Sequence, residues 1–562
     1  MVKIQKLFPK IIFPIILFIY PLYGFNLGAD LSDTTYSLGN YMYFDSMTGS
    51  WKYATFLSNL LGAGLLKLAG NKMILMTLFC GMVISATALA AYLVLSKIYN
   101  PAMVFIGEII AICMTWCPNV ILYNYLTYLL LTLAALVLYK AILADSKKLY
   151  ILAGAILGLN VFVRVSNLVE AALILAVWYG AYLNKKKPFI PTLYCIIGYI
   201  AGLATSVLIV VIAGGTKGIG ECVSWMLSLS SSEGDAGGYS LTEMVRVIFD
   251  NYLGNVKYFA ISILGIVLGF VGFRIFKGKL LLLKRGGYII CLAGLFYYFY
   301  RNGVFTTKFY NNGAIFGLCV LAIFWQFVAA LYALFSKDLS VEDKTMAAIV
   351  IVILLITPLG SNNHLFTIIN SMFISLPYTV GFGYKVLKDK KEVFPIASYG
   401  AFLLVVLLAI GIMFNLRYVF VDGEQGTGHD TVISESKTMK GMKTDTLYAE
   451  DIDELCIVLS DYRNKEAIFY GNVPGASYLL QMPCAISTSW PDLDSYSEKN
   501  FEKELNEVSK VKPLIIMKMD AYSDIYISDT YKDKTMLKYI FENDYEPYYM
   551  NADFMVLASN EE

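Results

Sequence analysis

Asp30 and Asp33 stand three residues apart in the run GADLSDTTYSLGNY, directly after an apolar stretch. Carboxylates at the end of such a stretch can deprotonate a hydroxyl or bind a divalent metal. They can equally belong to a solvated loop that caps a helix, with Asp33 preceding Thr34, Thr35 and Tyr36. Four further groups are charged or densely polar within apolar runs or at their ends. Arg164 and Glu170 flank a short break, and either pair as buried ions or leave Arg164 free, its planar fork suited to a phosphate. Arg301 and Lys308 bracket the loop RNGVFTTK, which either grips a lipid phosphate or is simply wet. Ser361, Asn362, Asn363 and His364 close another run, as a helix cap or as a sugar-contacting rim. Glu108 lies about two turns into a run without a partner in its own helix, and packing beside a Tyr or Arg is its simplest reading. With two His in the chain and no CxxC or HExxH, a His-rich metal site is excluded.

The elements that hold these residues follow from composition. Of 562 residues, 57% are hydrophobic and 15% charged, with a mean hydropathy of +0.61. Soluble chains sit nearer half and a quarter. Disordered proteins, secreted disulfide scaffolds and nucleic-acid binders are thereby excluded. The net charge of +1 conceals a division at about residue 416. Residues 1–416 hold 30 Lys and Arg against 16 Asp and Glu, and residues 417–562 hold 14 against 27. The chain therefore reads as a polytopic α-helical membrane domain, 1–416, followed by an acidic α/β domain, 417–562.

A helix needs roughly 20 apolar residues to cross a bilayer. Such runs number about 13 by that criterion, centred on 11–25, 73–96, 102–118, 121–140, 150–166, 168–184, 189–212, 257–275, 287–300, 313–336, 345–360, 371–387 and 397–416. The positive-inside rule places the N-terminus in the cytoplasm, with about 21 basic residues on cytoplasmic loops and about 9 on short outer ones. An odd number of spans then puts the tail outside the cell membrane. Residues 26–71 and 213–256 are outer loops too long to be turns, and Trp51 to Ala69 reads as a helix lying in the interface. In the tail, Glu466–Tyr470, Leu514–Met519 and Phe554–Ala558 read as strands. Helical patterns at Tyr448–Tyr462, Ala476–Gln481 and Lys534–Phe541 lie between them, which argues a largely parallel sheet serving as a lid or docking module. A Cys456–Cys484 bridge is compatible with an outer compartment, but no spacing rule supports it.

The order of these features resembles the GT-C glycosyltransferase superfamily over essentially the whole chain. An acidic loop after the first span is followed by NYLTYLLL (124–131) and LAGAILGLNVFVRVSN (152–167). The nearest patterns are those of bacterial mannosyltransferase-like and aminoarabinose-transferase-like members. FYGNVPGASYLLQMP (469–483) and SWPDL (489–493) are similar to the outer domain many such proteins carry. The resemblance implies a polyprenyl-phosphate sugar as donor, a lipid, glycan or protein acceptor on the outer face, and a catalytic Asp in the first outer loop. Asp33 matches that acidic residue best and Asp30 second, although the usual pair is adjacent and these are three apart. Arg164, Arg301 and Lys308 are then candidates for the donor phosphate, Asn362, Asn363 and His364 for a substrate rim, and a divalent metal is possible. A departing phosphate needs cations rather than a general acid, so one carboxylate base suffices and inversion is expected. A transporter or a lipid-linked saccharide flippase or polymerase is the alternative. A transporter would call for repeats and broken helices with charges at the midplane, and no convincing repeat is present.

Overall fold

The computed structural model describes residues 7–220, 222–224, 227, 241–275, 281–359, 361, 363–388, 390, 393–422 and 428–559. Among these, eight helices are long and apolar enough to cross a bilayer on those grounds alone. The other five anticipated spans are shorter helices, at Phe8–Leu22, Pro101–Cys113, Lys147–Val163, Val341–Ile356 and Ser375–Leu387. The third departs most from expectation. Its helix stops at Cys113, and residues 114–121 continue as buried irregular backbone. Non-helical chain at membrane depth persists only when protein satisfies it. Here Asn370 Oδ1 accepts the Trp116 N–H (2.9 Å), and the Tyr41 hydroxyl accepts the Leu122 N–H (3.2 Å).

Two glycine pairs set the crossing of the fifth and seventh spans. A Cβ on Gly154 or Gly158 would lie 2.0–2.2 Å from the Cys195 or Tyr199 carbonyl, and Gly198 and Gly202 approach Lys147–Val163 as closely. Small residues at four-residue spacing let the two backbones touch. Packed this way, Lys147–Val163 ends with Arg164 at the rim of the bundle.

Residues 26–71 contain the helices Asp33–Met42, Gly49–Ala54 and Phe56–Leu68. The single helix expected over Trp51 to Ala69 is two, broken at Thr55, and Ser58 ties the second to the bundle by donating to the Val163 carbonyl (3.1 Å).

The tail has a two-stranded ribbon, β1 (Thr431–Val432) with β2 (Lys443–Thr444). Its main sheet has the order β3 (Ala467–Tyr470), β4 (Leu514–Lys518), β6 (Phe554–Ser559), β5 (Tyr545–Met550). Only β3 and β4 pair in parallel; β6 runs antiparallel to both its neighbours. The expected parallel sheet is therefore mixed, because β5 and β6 form a hairpin without a crossover helix. All nine cysteines are unbridged, Cys456 and Cys484 included.

The tail is sewn to the loop 26–71. Lys443 N–H donates to the Asn26 carbonyl (2.8 Å) and Gly28 N–H to the Lys443 carbonyl (2.9 Å), a single parallel bridge between Leu27 and the ribbon. Gly475 N–H donates to the Leu31 carbonyl (2.7 Å). A Cβ at Gly475 would fall 1.6 Å from Thr35 Oγ1 and 2.5 Å from Thr35 Cβ. Overpacking of this kind costs about 1–3 kcal/mol. We expect Gly475→Ala to lower the melting temperature and to open the 471–475 turn to proteolysis; wild-type resistance would contradict this docking.

Candidate active site

The helix Asp33–Met42 begins where Asp30 folds the chain back on itself. Asp30 Oδ1 accepts the Ser32 N–H (2.7 Å) and Ser32 Oγ (2.5 Å), and Oδ2 accepts the Thr34 N–H (2.9 Å). Thr35 Oγ1 in turn donates to the Asp30 carbonyl (2.8 Å). The capping reading thus applies to Asp30, which is 2% exposed and spends its carboxylate on shaping the turn. Asp33, the first helical residue, has no side-chain hydrogen bond among the described residues. Burial, and then the neighbouring Asp30 charge, push its carboxyl up to about 6. A carboxylate that is free of donors and titrates near neutrality is suited to take a proton.

Arg164 follows the helix Lys147–Val163. Its guanidinium lies 5.5 Å from the Tyr123 ring centre and donates to Asn124 Oδ1 (3.5 Å). Asn124 Nδ2 donates to Cys117 Sγ (3.4 Å), and both the Arg164 and Asp33 charges reach that thiol. Arg164, 131 positions from Asp33 in the chain, thus reaches Cys117 through Asn124. The ion pair with Glu170 considered as an alternative does not form. Glu170 instead accepts from Asn160 Nδ2 (2.7 Å). Asn167 Nδ2 binds Thr127 Oγ1 (2.7 Å), so the polar residues of 124–131 and 152–167 knit together beneath Arg164.

The remaining candidates lie apart. Arg301 and Lys308 are exposed, and neither side chain bonds to this region among the described residues. Asn362 lies outside the described residues. Asn363 and His364 precede the short helix Leu365–Asn370, and His364 holds a strained backbone at φ 44°. Burial pulls the His364 imidazole below its usual value. Neither residue bonds to Asp33 or Arg164 among the described residues. The far end of that helix does reach the site. Asn370 bonds Trp116 N–H and, at 3.4 Å, Tyr128 OH. Asn370 went unread in the sequence, though a lone amide in the apolar run LFTIINSMF is a signal of its own. Glu108 is fully buried, with neither carboxyl oxygen hydrogen-bonded among the described residues.

A cavity adjoins Asp30, and Thr34, Trp116, Cys117, Asn119 and Tyr418 are among the residues that line it. Among the described residues no three His, Cys, Asp or Glu side chains converge, and the Asp30 oxygens already accept from three donors.

No protein-family model and no curated protein sequence matches the chain. Its fold is similar to that of the oligosaccharyltransferase of Archaeoglobus fulgidus, solved with zinc and sulfate. The TM-score is 0.50 at 12% identity, covering 98% of this chain and 72% of that one. ArnT from Cupriavidus metallidurans, solved bound to undecaprenyl phosphate, aligns with a TM-score of 0.41 at 10% identity over 98% and 97% of the two chains. The chain is a multi-pass membrane protein whose fold is similar to that of the archaeal oligosaccharyltransferase.

Proposed function

We propose that the protein is a glycosyltransferase that moves a sugar from a polyprenyl-phosphate donor to an acceptor hydroxyl, with inversion. The observation that supports this most is the Asp33 carboxyl, which makes no side-chain hydrogen bond among the described residues, together with the Arg164–Asn124–Cys117 hydrogen-bond chain. Asp33 takes the acceptor proton as the hydroxyl oxygen attacks the anomeric carbon. The bond from that carbon to the phosphate oxygen breaks, and the pair leaves with the phosphate, whose charge Arg164 meets. Asp30 positions rather than reacts. A lipid-linked donor suits a site at the ends of spans, and the outer face is the side on which the tail is expected. Arg301 and Lys308 fit a more distant role along the lipid-facing surface.

The test is an assay in membranes carrying the full chain, with labelled polyprenyl-phosphate sugars and label followed into any acceptor. Transfer should depend on Asp33. Movement of label across the bilayer without any new glycosidic bond would replace this reading by a flippase. For the orientation, Ser497→Cys should react with an impermeant thiol reagent on intact cells while Ser146→Cys stays protected. The reverse pattern overturns transfer on the outer face.

A further inference from the structure

The helix Phe394–Arg417 ends just before Asp422, a carboxylate that turns back onto the loop carrying Asp33. Asp422 is 3% exposed. Its Oδ2 accepts the Ala29 N–H (2.7 Å) and its Oδ1 the Thr444 hydroxyl (2.6 Å). His429 closes over it, with Nε2 2.7 Å from the Asp422 carbonyl oxygen and 3.7 Å from Oδ2. Ala29 precedes Asp30, so the fixed amide adjoins the turn from which the helix Asp33–Met42 starts.

The backbone on both sides of this contact is held in an unusual shape. Val421 has φ 44°, a left-handed conformation that β-branched residues avoid, and its side chain is 56% exposed, so packing does not hold it there. Such a conformation persists when its surroundings fix it, and the fixed neighbour here is Asp422. Opposite, Gly28 has φ 101°, and a Cβ on it would stand 3.0 Å from Val419 Cγ1 and 3.8 Å from Asp422 Oδ2. The loop comes this near because Gly28 carries no side chain.

A carboxylate is a costly group to place at this contact. Burial above all pushes the Asp422 carboxyl above its usual range and the Asp30 charge adds to that, while Thr444, His429 and the Ala29 N–H oppose it. Tyr448, buried nearby, also feels the Asp422 and Asp30 charges. An apolar contact would join tail and loop at lower cost, and the bonds at Lys443 and Gly475 already join them. What a carboxylate held at both oxygens adds is a fixed direction for the Ala29 amide.

We propose that Asp422 is a positioning residue for Asp33: braced by Thr444 and His429, it fixes the loop at Ala29 and so keeps the Asp33 carboxyl in its partly buried place. This deepens the transferase reading and rests on it for the effect on turnover alone; the anchoring is measurable without turnover.

The test uses the full chain in lipid nanodiscs, with Asp422→Ala and Asp422→Asn. Deuterium exchange of the Ala29 amide, followed by mass spectrometry on peptides from 26–42, should quicken about ten- to a hundredfold in Asp422→Ala, the worth of a charge-assisted hydrogen bond. Asp422→Asn should recover slow exchange, because its carbonyl can accept the Ala29 N–H while its amide donates to the Thr444 hydroxyl. In the labelled-donor assay Asp422→Ala should lower kcat and leave the donor KM unchanged. The acid limb of its pH profile should move from about 6 towards 3.8 as water reaches Asp33. A merely structural tie would lower protein yield without moving that limb. The proposal is overturned if exchange stays slow in Asp422→Ala, if Asp422→Asn exchanges as fast as Asp422→Ala, or if the limb stays at about 6. Should Asp422→Ala not fold, Thr444→Val removes one brace alone and should show the same changes to a lesser extent; slow exchange with an unmoved limb overturns the proposal there too. Should the wild type transfer no label, the transferase reading falls by itself. Anchoring is then judged by exchange and by the gain in melting temperature that Asp33→Asn brings at pH 7.5, which should vanish in the Asp422→Ala background.

Discussion

Asp33→Asn should abolish sugar transfer and, at the same time, raise the melting temperature of the protein near neutral pH. The two effects share one cause. In the folded chain the Asp33 carboxyl titrates at about 6 rather than its ordinary 3.8, because burial and the Asp30 charge oppose its ionisation. The folded state therefore holds this proton more tightly than the unfolded one, and ionised Asp33 works against folding. That opposition is complete above about pH 6, shrinks as pH falls from 6 towards 4, and is gone below about 4. Asparagine keeps the volume and removes the charge. The gain in melting temperature should accordingly be present at pH 7.5 and absent at pH 4. A positioned base contributes on the order of 10²–10⁴ in rate, and transfer should fall by at least that range. The wild-type rate should lose about tenfold per pH unit below 6 and stay level above it. Thermal unfolding at the two pH values and the labelled-donor assay check both halves. Undiminished transfer would remove Asp33 from the mechanism, and a stability gain that persists at pH 4 would remove the electrostatic explanation.

Arg164→Gln should damage a different quantity. The donor phosphate is charged when bound and more so as it leaves, so its cation supports both binding and the chemical step. A charge-assisted hydrogen bond is worth about 1.5–3 kcal/mol, or roughly ten- to a hundredfold. Donor affinity and turnover should both decline, whereas the Asp33 variant retains donor affinity. Folding should be spared, since Glu170 is held by Asn160 and not by Arg164. Glu170→Gln, which can keep that bond, should leave donor affinity unchanged. If Arg164→Gln instead loses protein and Glu170→Gln restores it, the arginine is structural.

Some of this was legible in the residues. The apolar runs mark where helices lie, and strands such as Ala467–Tyr470 and Leu514–Lys518 stand out because they are buried on both faces. The strand Tyr545–Met550 does not. It is an edge strand, mostly exposed, with Pro547 inside it, and no apolar alternation survives that. Pro101–Cys113, apolar apart from Glu108, is continued in sequence by MTWC, so hydropathy cannot mark its end. The break depends on Asn370, some 250 residues away, which satisfies the Trp116 N–H. At the site, the carboxylates and Arg164 were visible as charges in apolar surroundings. Their division of labour was not, because it depends on which of two aspartates the Ser32 and Thr34 donors reach.

The ribbon that joins Lys443 to Asn26 and Gly28 has a consequence for how the protein is made. Residues 26–42, which carry Asp33, are made well before the groups that hold them: Asp422 on Ala29 N–H, Lys443 on the loop backbone and Gly475 on Leu31. The helix Phe394–Arg417 also precedes all three partners. A nascent chain that has reached only Arg417 therefore has an unanchored aspartate loop.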